Sequence, residues 1–147
     1  MGLCKYKNFN WAFTRESLVA LLLSSAAAVA EPAEKLWLSD DDAVVIATGS
    51  CGQGSDALCG IIVGVPGART DPQIANARAE LCGLPIIWDM IPTGDPGEYS
   101  SGRLLDPESG KDYAATFQDQ GGSATVSVGF ASLRWSQVNR IEEECAG

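Results

Sequence analysis

The stretch Lys111–Ser132, KDYAATFQDQGGSATVSVGFAS, carries the clearest periodicity in the chain. Ala124, Val126, Val128 and Phe130 fall on one side of an extended backbone, and Thr125, Ser127 and Gly129 on the other. Tyr113, Ala115 and Phe117 oppose Asp112, Thr116 and Gln118 in the same way. Successive strand residues point to opposite faces, so this pattern puts one face in a core and the other in water. That arrangement is typical of antiparallel sheets, whose strands are joined by short connections.

The rest of the chain extends the pattern. KLWLS (35–39), AVVIATG (43–49), ALCGIIVGV (57–65), LPIIWDMIP (84–92), YSSGRLLD (99–106) and LRWSQVN (133–139) all read as short strands. Gly, Pro, Asp and Ser punctuate them every ten or so residues, the rhythm of an all-β domain. In 57–65, Cys59, Ile61, Val63 and Val65 alternate with Gly60, Ile62 and Gly64. The long polar interval 66–80 predicts one or two helical turns, with Asp71 as the cap and Pro72 at the first helical position. The expected fold is a small antiparallel meander barrel of about eight strands with one short helix or long loop; a flattened sandwich is the alternative. Closure removes exposed strand edges, and an eight-stranded barrel is either filled by side chains or holds one small ligand. Gly60, Gly64, Gly102 and Gly129 lie inside predicted strands, where glycine marks a bulge or bend or leaves cavity space.

The start of the chain has a different character. Lys5, Lys7 and Arg15 precede the apolar run SLVALLLSSAAAVA (17–30), which ends in Ala28-Val29-Ala30. This is the layout of a secretory signal peptide cleaved after residue 30, and the run is short for a membrane span. A mature chain of residues 31–147 is expected, a single domain with its core at about 36–139, exported to the periplasm and without a membrane span after cleavage. The whole chain carries a net charge of −9. Residues 1–30 hold three bases and one acid, so the mature part is more acidic still. Such a surface repels nucleic acid and anionic lipid.

Export gives the cysteines a meaning. Cys51, Cys59, Cys82 and Cys145 remain after cleavage, and an even number in an exported domain points to disulfides. Three full pairings exist. Cys51 and Cys59 flank a probable hairpin loop, CGQGSDALCG, while Cys59 and Cys82 each sit in a Leu-Cys-Gly triplet. Cys145 either reaches back to the barrel or pairs with another chain. The spacing suits neither a zinc knuckle nor a Cys-x-x-Cys redox pair.

The chain contains no histidine. Ser-His-Asp and Cys-His nucleophile designs are therefore excluded. Asp106-Pro107-Glu108-Ser109-Gly110-Lys111-Asp112-Tyr113 gathers ionisable groups, yet Pro107, Gly110 and Asp106 are the residues of a hairpin turn. Asp40-Asp41-Asp42 lacks the ligand spacing of a calcium loop and reads as a solvated turn. No catalytic residue, cofactor or metal site is expected, and the protein is not expected to be an enzyme. Trp37, Trp88 and Trp135 read as core fillers.

Taken together, Trp37, VVIATGSCG, LCGIIVG, LCGLPIIWDM, SGRLLDPESGKDYAATF and the late SVGF and RWSQV resemble the bacterial domain of unknown function 2147 in order and spacing. The resemblance marks Trp37, Gly60, Gly83, Asp106, Pro107, Gly110, Tyr113 and Trp135 as motif positions with structural roles. It implies an exported, lipocalin-like barrel with no established activity. The chain departs from the family pattern at Ser136-Gln137, where an arginine commonly follows the last-strand tryptophan; Arg134 or Arg140 is expected to supply the cation near Trp37. Two functions follow as expectations: a binding module for a small apolar or amphipathic ligand, or a solid barrel that binds an envelope protein through its loops, chiefly 66–80.

Overall fold

The computed structural model describes residues 31–146, so the predicted signal peptide and its cleavage site lie outside the described residues. Eight strands form one closed antiparallel barrel in sequence order: β1 (Lys35–Leu38), β2 (Val45–Ser50), β3 (Leu58–Gly64), β4 (Pro85–Pro92), β5 (Glu98–Asp106), β6 (Lys111–Asp119), β7 (Ser123–Val128) and β8 (Ala131–Val138). Closure runs through Leu36↔Val138, Trp37↔Gln137 and Leu38↔Ser136. The connection between β3 and β4 carries a 3-10 turn (Pro66–Arg69) and helix α1 (Pro72–Leu81). As expected, Asp71 caps α1 by accepting from the Gln73 amide, with Pro72 in the first turn, although at 10 residues the helix is longer than the one or two turns expected.

The barrel interior follows from the strand alternation. Trp37, Ile46, Leu58, Ile62, Ile87, Leu104, Ala115, Phe117, Ala124, Val126 and Trp135 are buried in one cluster. Phe117 stands at its centre, with edge-on rings of Trp37, Tyr99 and Trp135 at 5.9, 6.2 and 6.1 Å. Edge-to-face pairs place the positive ring edge on the negative face and add to the gain from burial. The Trp37 indole donates to Thr48 Oγ1 at 2.8 Å, so the polar atom of this buried tryptophan is satisfied.

Two glycines show how tightly the interior is filled. A Cβ on Gly60 would come within 3.0–3.2 Å of Ile87, Thr48 and Ile46. One on Gly102 would overlap Met90 Sδ and lie 2.9 Å from the Trp88 carbonyl. Both positions coincide with register shifts in the sheet. These glycines let larger neighbours occupy the lumen, so they mark bulges and leave no cavity space of their own.

Three expectations need correction. Phe130 does not continue the buried row of β7: Gly129 (φ 57°) and Phe130 form the β7–β8 turn, and Phe130 is fully exposed. The stretch 124–132 therefore divides at this turn, and β8 begins at Ala131. Tyr113 shares a face with Ala115 and Phe117 but lies near the start of β6, where it is 42% exposed. The cation at Trp37 is Lys35 of the same strand, 5.7 Å from the ring. Arg134 instead donates to Ser123 Oγ and Arg140 pairs with Glu142, each at 3.0–3.3 Å.

Candidate functional site

The connections β1–β2, β3–β4, β5–β6 and β7–β8 share one end of the barrel, termed here the upper end. The opposite end is the lower mouth. Lys35 on β1 forms an ion pair with Asp119 on β6, and Tyr99 stacks edge-on against Phe117. Burial, together with Asp119 and Asp56, raises the Tyr99 hydroxyl above its ordinary pKa. A charged pair and an aromatic ring thus line this mouth, beside the packed aromatic cluster around Phe117.

The motif Asp106–Tyr113 is the β5–β6 turn. Asp106 accepts from the Glu108 amide at 3.0 Å and from Ser109 Oγ at 2.8 Å, while the Gly110 amide donates to the Asp106 carbonyl at 2.8 Å. Pro107 presets its backbone angle, and Gly110 takes the positive φ of 71° that the turn requires. The hydrogen bond from Ser109, with smaller help from the Glu108 and Ser109 amides, holds the Asp106 carboxyl below its ordinary pKa. Asp106 is thus committed to turn geometry, and Asp112 pairs with Arg103 at 3.0 Å. Asp41 serves a similar purpose between β1 and β2, accepting from Ser39 Oγ at 2.6 Å and from the Ala43 amide at 3.1 Å.

The cysteines form two bonds, Cys51–Cys59 and Cys82–Cys145. The rival pairing of Cys59 with Cys82 is not formed. The first bond closes the β2–β3 hairpin loop. The second joins the end of α1 to the C-terminal tail, so Cys145 reaches back within its own chain. Gly83 follows with φ 78°, and its amide donates to the Ile62 carbonyl at 2.9 Å, turning the chain from α1 into β4. Trp135, paired with Ala124 across β7–β8, and Trp37 are core residues, as is the β3 backbone at Gly60.

The C-terminal tail is the element that sequence periodicity left undefined. Its Cys145 amide donates to the Val63 carbonyl at 2.8 Å, and the Val65 amide donates to the Glu143 carbonyl at 3.0 Å. Together they make a Gly64↔Glu144 antiparallel bridge that prolongs the sheet at the top of β3. Glu143 receives Arg69 at 2.6 Å and Arg78 at 2.9 Å. Arg78 also donates to the carbonyls of Glu143 and Glu144 at 3.3 and 3.0 Å. These two guanidiniums, Arg69 first, hold the Glu143 carboxyl below its ordinary pKa, and Glu143 in turn raises Arg69. The only sequence signal for this corner was the lone cysteine in the tail. Ion partners 65 and 74 residues apart leave no local pattern.

Two outer surfaces stand out. On the upper end, Phe130 projects fully from the β7–β8 turn, and Tyr113 is exposed near the start of β6. Along the wall, a groove of about 530 Å³ runs between β1, β2, β8 and the tail, lined by Leu38, Val45, Val138, Asn139, Arg140 and Glu142 among others. The exposed face of α1, within the 66–80 segment expected to carry binding, presents Pro72, Gln73, Asn76 and Glu80 with two small alanines, which counts against recognition through that loop.

A model of a bacterial family, described as an uncharacterized protein conserved in bacteria (DUF2147), matches residues 36–134. The chain belongs to the DUF2147 family. The match runs from β1 into β8, so the barrel is the DUF2147 unit, and the tail that bonds to β3 lies beyond the matched span. Comparison with curated proteins and with solved structures returns no match.

Proposed function

We propose that this DUF2147 protein is an exported protein-interaction module, a solid barrel that binds an envelope partner through its upper end. The observation that carries the reading is the contrast between a packed lumen and a fully exposed Phe130 on a two-residue turn. A large aromatic side chain held in water on a rigid hairpin is the kind of group that anchors protein interfaces. Tyr113 supplies a second aromatic on the same end of the barrel. Export to the periplasm is supported by the two disulfides, which persist in oxidising compartments. Among the described residues, no helix is long and apolar enough to cross a membrane. In this reading the protein works by binding and carries out no reaction.

The test is site-directed photocrosslinking in cells producing the full chain, with a benzophenone side chain placed at position 130 and, as control, at position 76 on the polar face of α1. A discrete protein adduct at 130 that is absent at 76 is expected. Equal labelling at both positions, or none at 130, removes the reading.

A second reading rests on the outer groove. Leu38, Val45 and Val138 offer an apolar floor, with the Arg140–Glu142 ion pair at the rim, which suits a small amphipathic molecule. Saturable binding of a fatty acid to the wild type, lost in Val138→Asp, would favour it over the interface.

A further inference from the structure

We propose that the upper end recognises a cationic, amphipathic segment of a protein partner, with Phe130 as the apolar anchor and the carboxylates of the flanking turns as its rim. This names the class of partner for the interface described above and rests on that reading. The apolar part is more than one ring. Phe130 is fully exposed in the β7–β8 turn. On the lumen-facing side of the same hairpin, Val128 and Leu133 are only partly buried against the core. Tyr113 is 42% exposed at the same end of β6, the strand beside β7.

The charge around these groups selects the partner. The β7–β8 turn has the β5–β6 and β1–β2 turns as its neighbours around the barrel. Those two turns carry Asp40, Asp41, Asp42, Asp106 and Glu108 against one base, Lys111. The next base down, Arg103, is matched by Asp112 at 3.0 Å. The β3–β4 connection adds two arginines to this end, and both are already engaged: Arg69 by Glu142 and Glu143, and Arg78 by Glu143. Asp41 and Asp106 bond their own turns. The side chains of Asp40, Asp42 and Glu108 are exposed and make no ion pair or hydrogen bond among the described residues.

Aromatic anchors dominate an interface when the contacts around them exclude water. Here those surrounding contacts are carboxylates. They draw a basic segment toward the anchor, set its orientation, and repel an acidic protein or an anionic lipid surface. The complementary partner therefore offers an apolar pocket or face for Phe130, flanked by lysine or arginine. A second copy of this chain does not meet that description, because its own upper end carries the same sign of charge.

The test titrates protein purified from cells producing the full chain with a short amphipathic peptide of leucine and lysine, and with its counterpart of leucine and glutamate. Saturable binding of the lysine peptide alone is expected. Its affinity should fall about tenfold in Phe130→Ser, which leaves the charge unchanged. A similar loss is expected when Asp40→Asn, Asp42→Asn and Glu108→Gln are combined; asparagine suits the positive φ of 57° at Asp42. The matching control neutralises three exposed acids of the lower end, Glu34→Gln, Asp56→Asn and Asp95→Asn, and should bind as the wild type does. Equal losses from the upper and lower sets would mean attraction to net charge alone and would overturn the proposal. Unchanged affinity in Phe130→Ser, or no preference for the lysine peptide, would overturn it as well. Photocrosslinking from position 130 in cells separates this from the interface reading. An adduct whose yield is unaltered by the upper set keeps the interface and removes the cationic partner. No adduct at all removes both.

Discussion

The β6–β7–β8 wall and the β3–α1–tail corner are built on different terms. The wall consists of consecutive hairpins with one buried face and one wet face. Phe117, Ala124, Val126 and Trp135 point inward, while Thr116, Gln118, Arg134 and Ser136 are exposed. Its partners are close in sequence, as in Ser127↔Ser132 and Val126↔Leu133. The corner joins residues far apart: Cys82 to Cys145, Arg78 to Glu143, Val63 to Cys145. Here β3 is covered on both sides, so its outward face carries Ile61 and Val63 only partly exposed and its alternation is blurred. The wall holds by hydrophobic packing against Phe117. The corner adds a covalent bond, an ion-pair fork and a few main-chain bonds to the apolar contacts of Ala68, Ile74, Leu81, Cys82 and Cys145 with the core.

Substitutions can sharpen that contrast. The largest effect is expected at the centre of the wall. Phe117→Ala removes the ring against which Trp37, Tyr99 and Trp135 pack and should cost about 3–5 kcal/mol in equilibrium denaturation. The disulfides come next, and their order matters more than their size. Replacing Cys82 and Cys145 by serine releases a separation of 63 residues and should cost about 4 kcal/mol, against about 2.5 kcal/mol for Cys51 and Cys59, whose separation is 8. The reverse order would show that the tail contributes little to the folded state.

Acid should separate the two regions further. Glu143 has a lowered folded-state pKa, so its contribution is present above the ordinary carboxylate range and is lost as pH falls through the folded value. Amide protection at Glu143–Cys145, taken relative to the intrinsic exchange rate at each pH, should therefore fall in acid before that of the β6–β7 amides. Asp106 follows the same sign, with loosening confined to the β5–β6 turn. The smallest effect on stability is expected at the exposed turn: Phe130→Ser should change unfolding free energy by about 0.5 kcal/mol or less while abolishing the adduct formed by a benzophenone side chain placed at position 113 on the same end.

Much of the barrel was legible in the sequence because a period of two survives wherever one strand face meets water. Ala115, Phe117, Ala124 and Val126 declared themselves this way, and the helix declared itself through Asp71-Pro72. The failures have physical causes. Phe130 obeys the alternation by residue type, but Gly129 turns the chain one position earlier, and a turn outranks periodicity. The cation at Trp37 was sought on the last strand; Lys35, two residues before Trp37, reaches it because side chains i and i+2 share a strand face. The Arg69–Arg78–Glu143 fork was invisible because nothing local relates its members. Glycines were legible as special positions, but whether they open a cavity or accept a neighbour depends on Met90, Ile87 and Ile46 from other strands.

The packed lumen is the central claim, and native mass spectrometry of the unreduced protein, purified from the cell envelope without delipidation, tests it most directly. A filled barrel predicts a mass equal to the mature chain less two hydrogens for each disulfide, with no retained small molecule. A stoichiometric apolar molecule, released only when the protein unfolds, would contradict it and return the barrel interior to the role of a binding site.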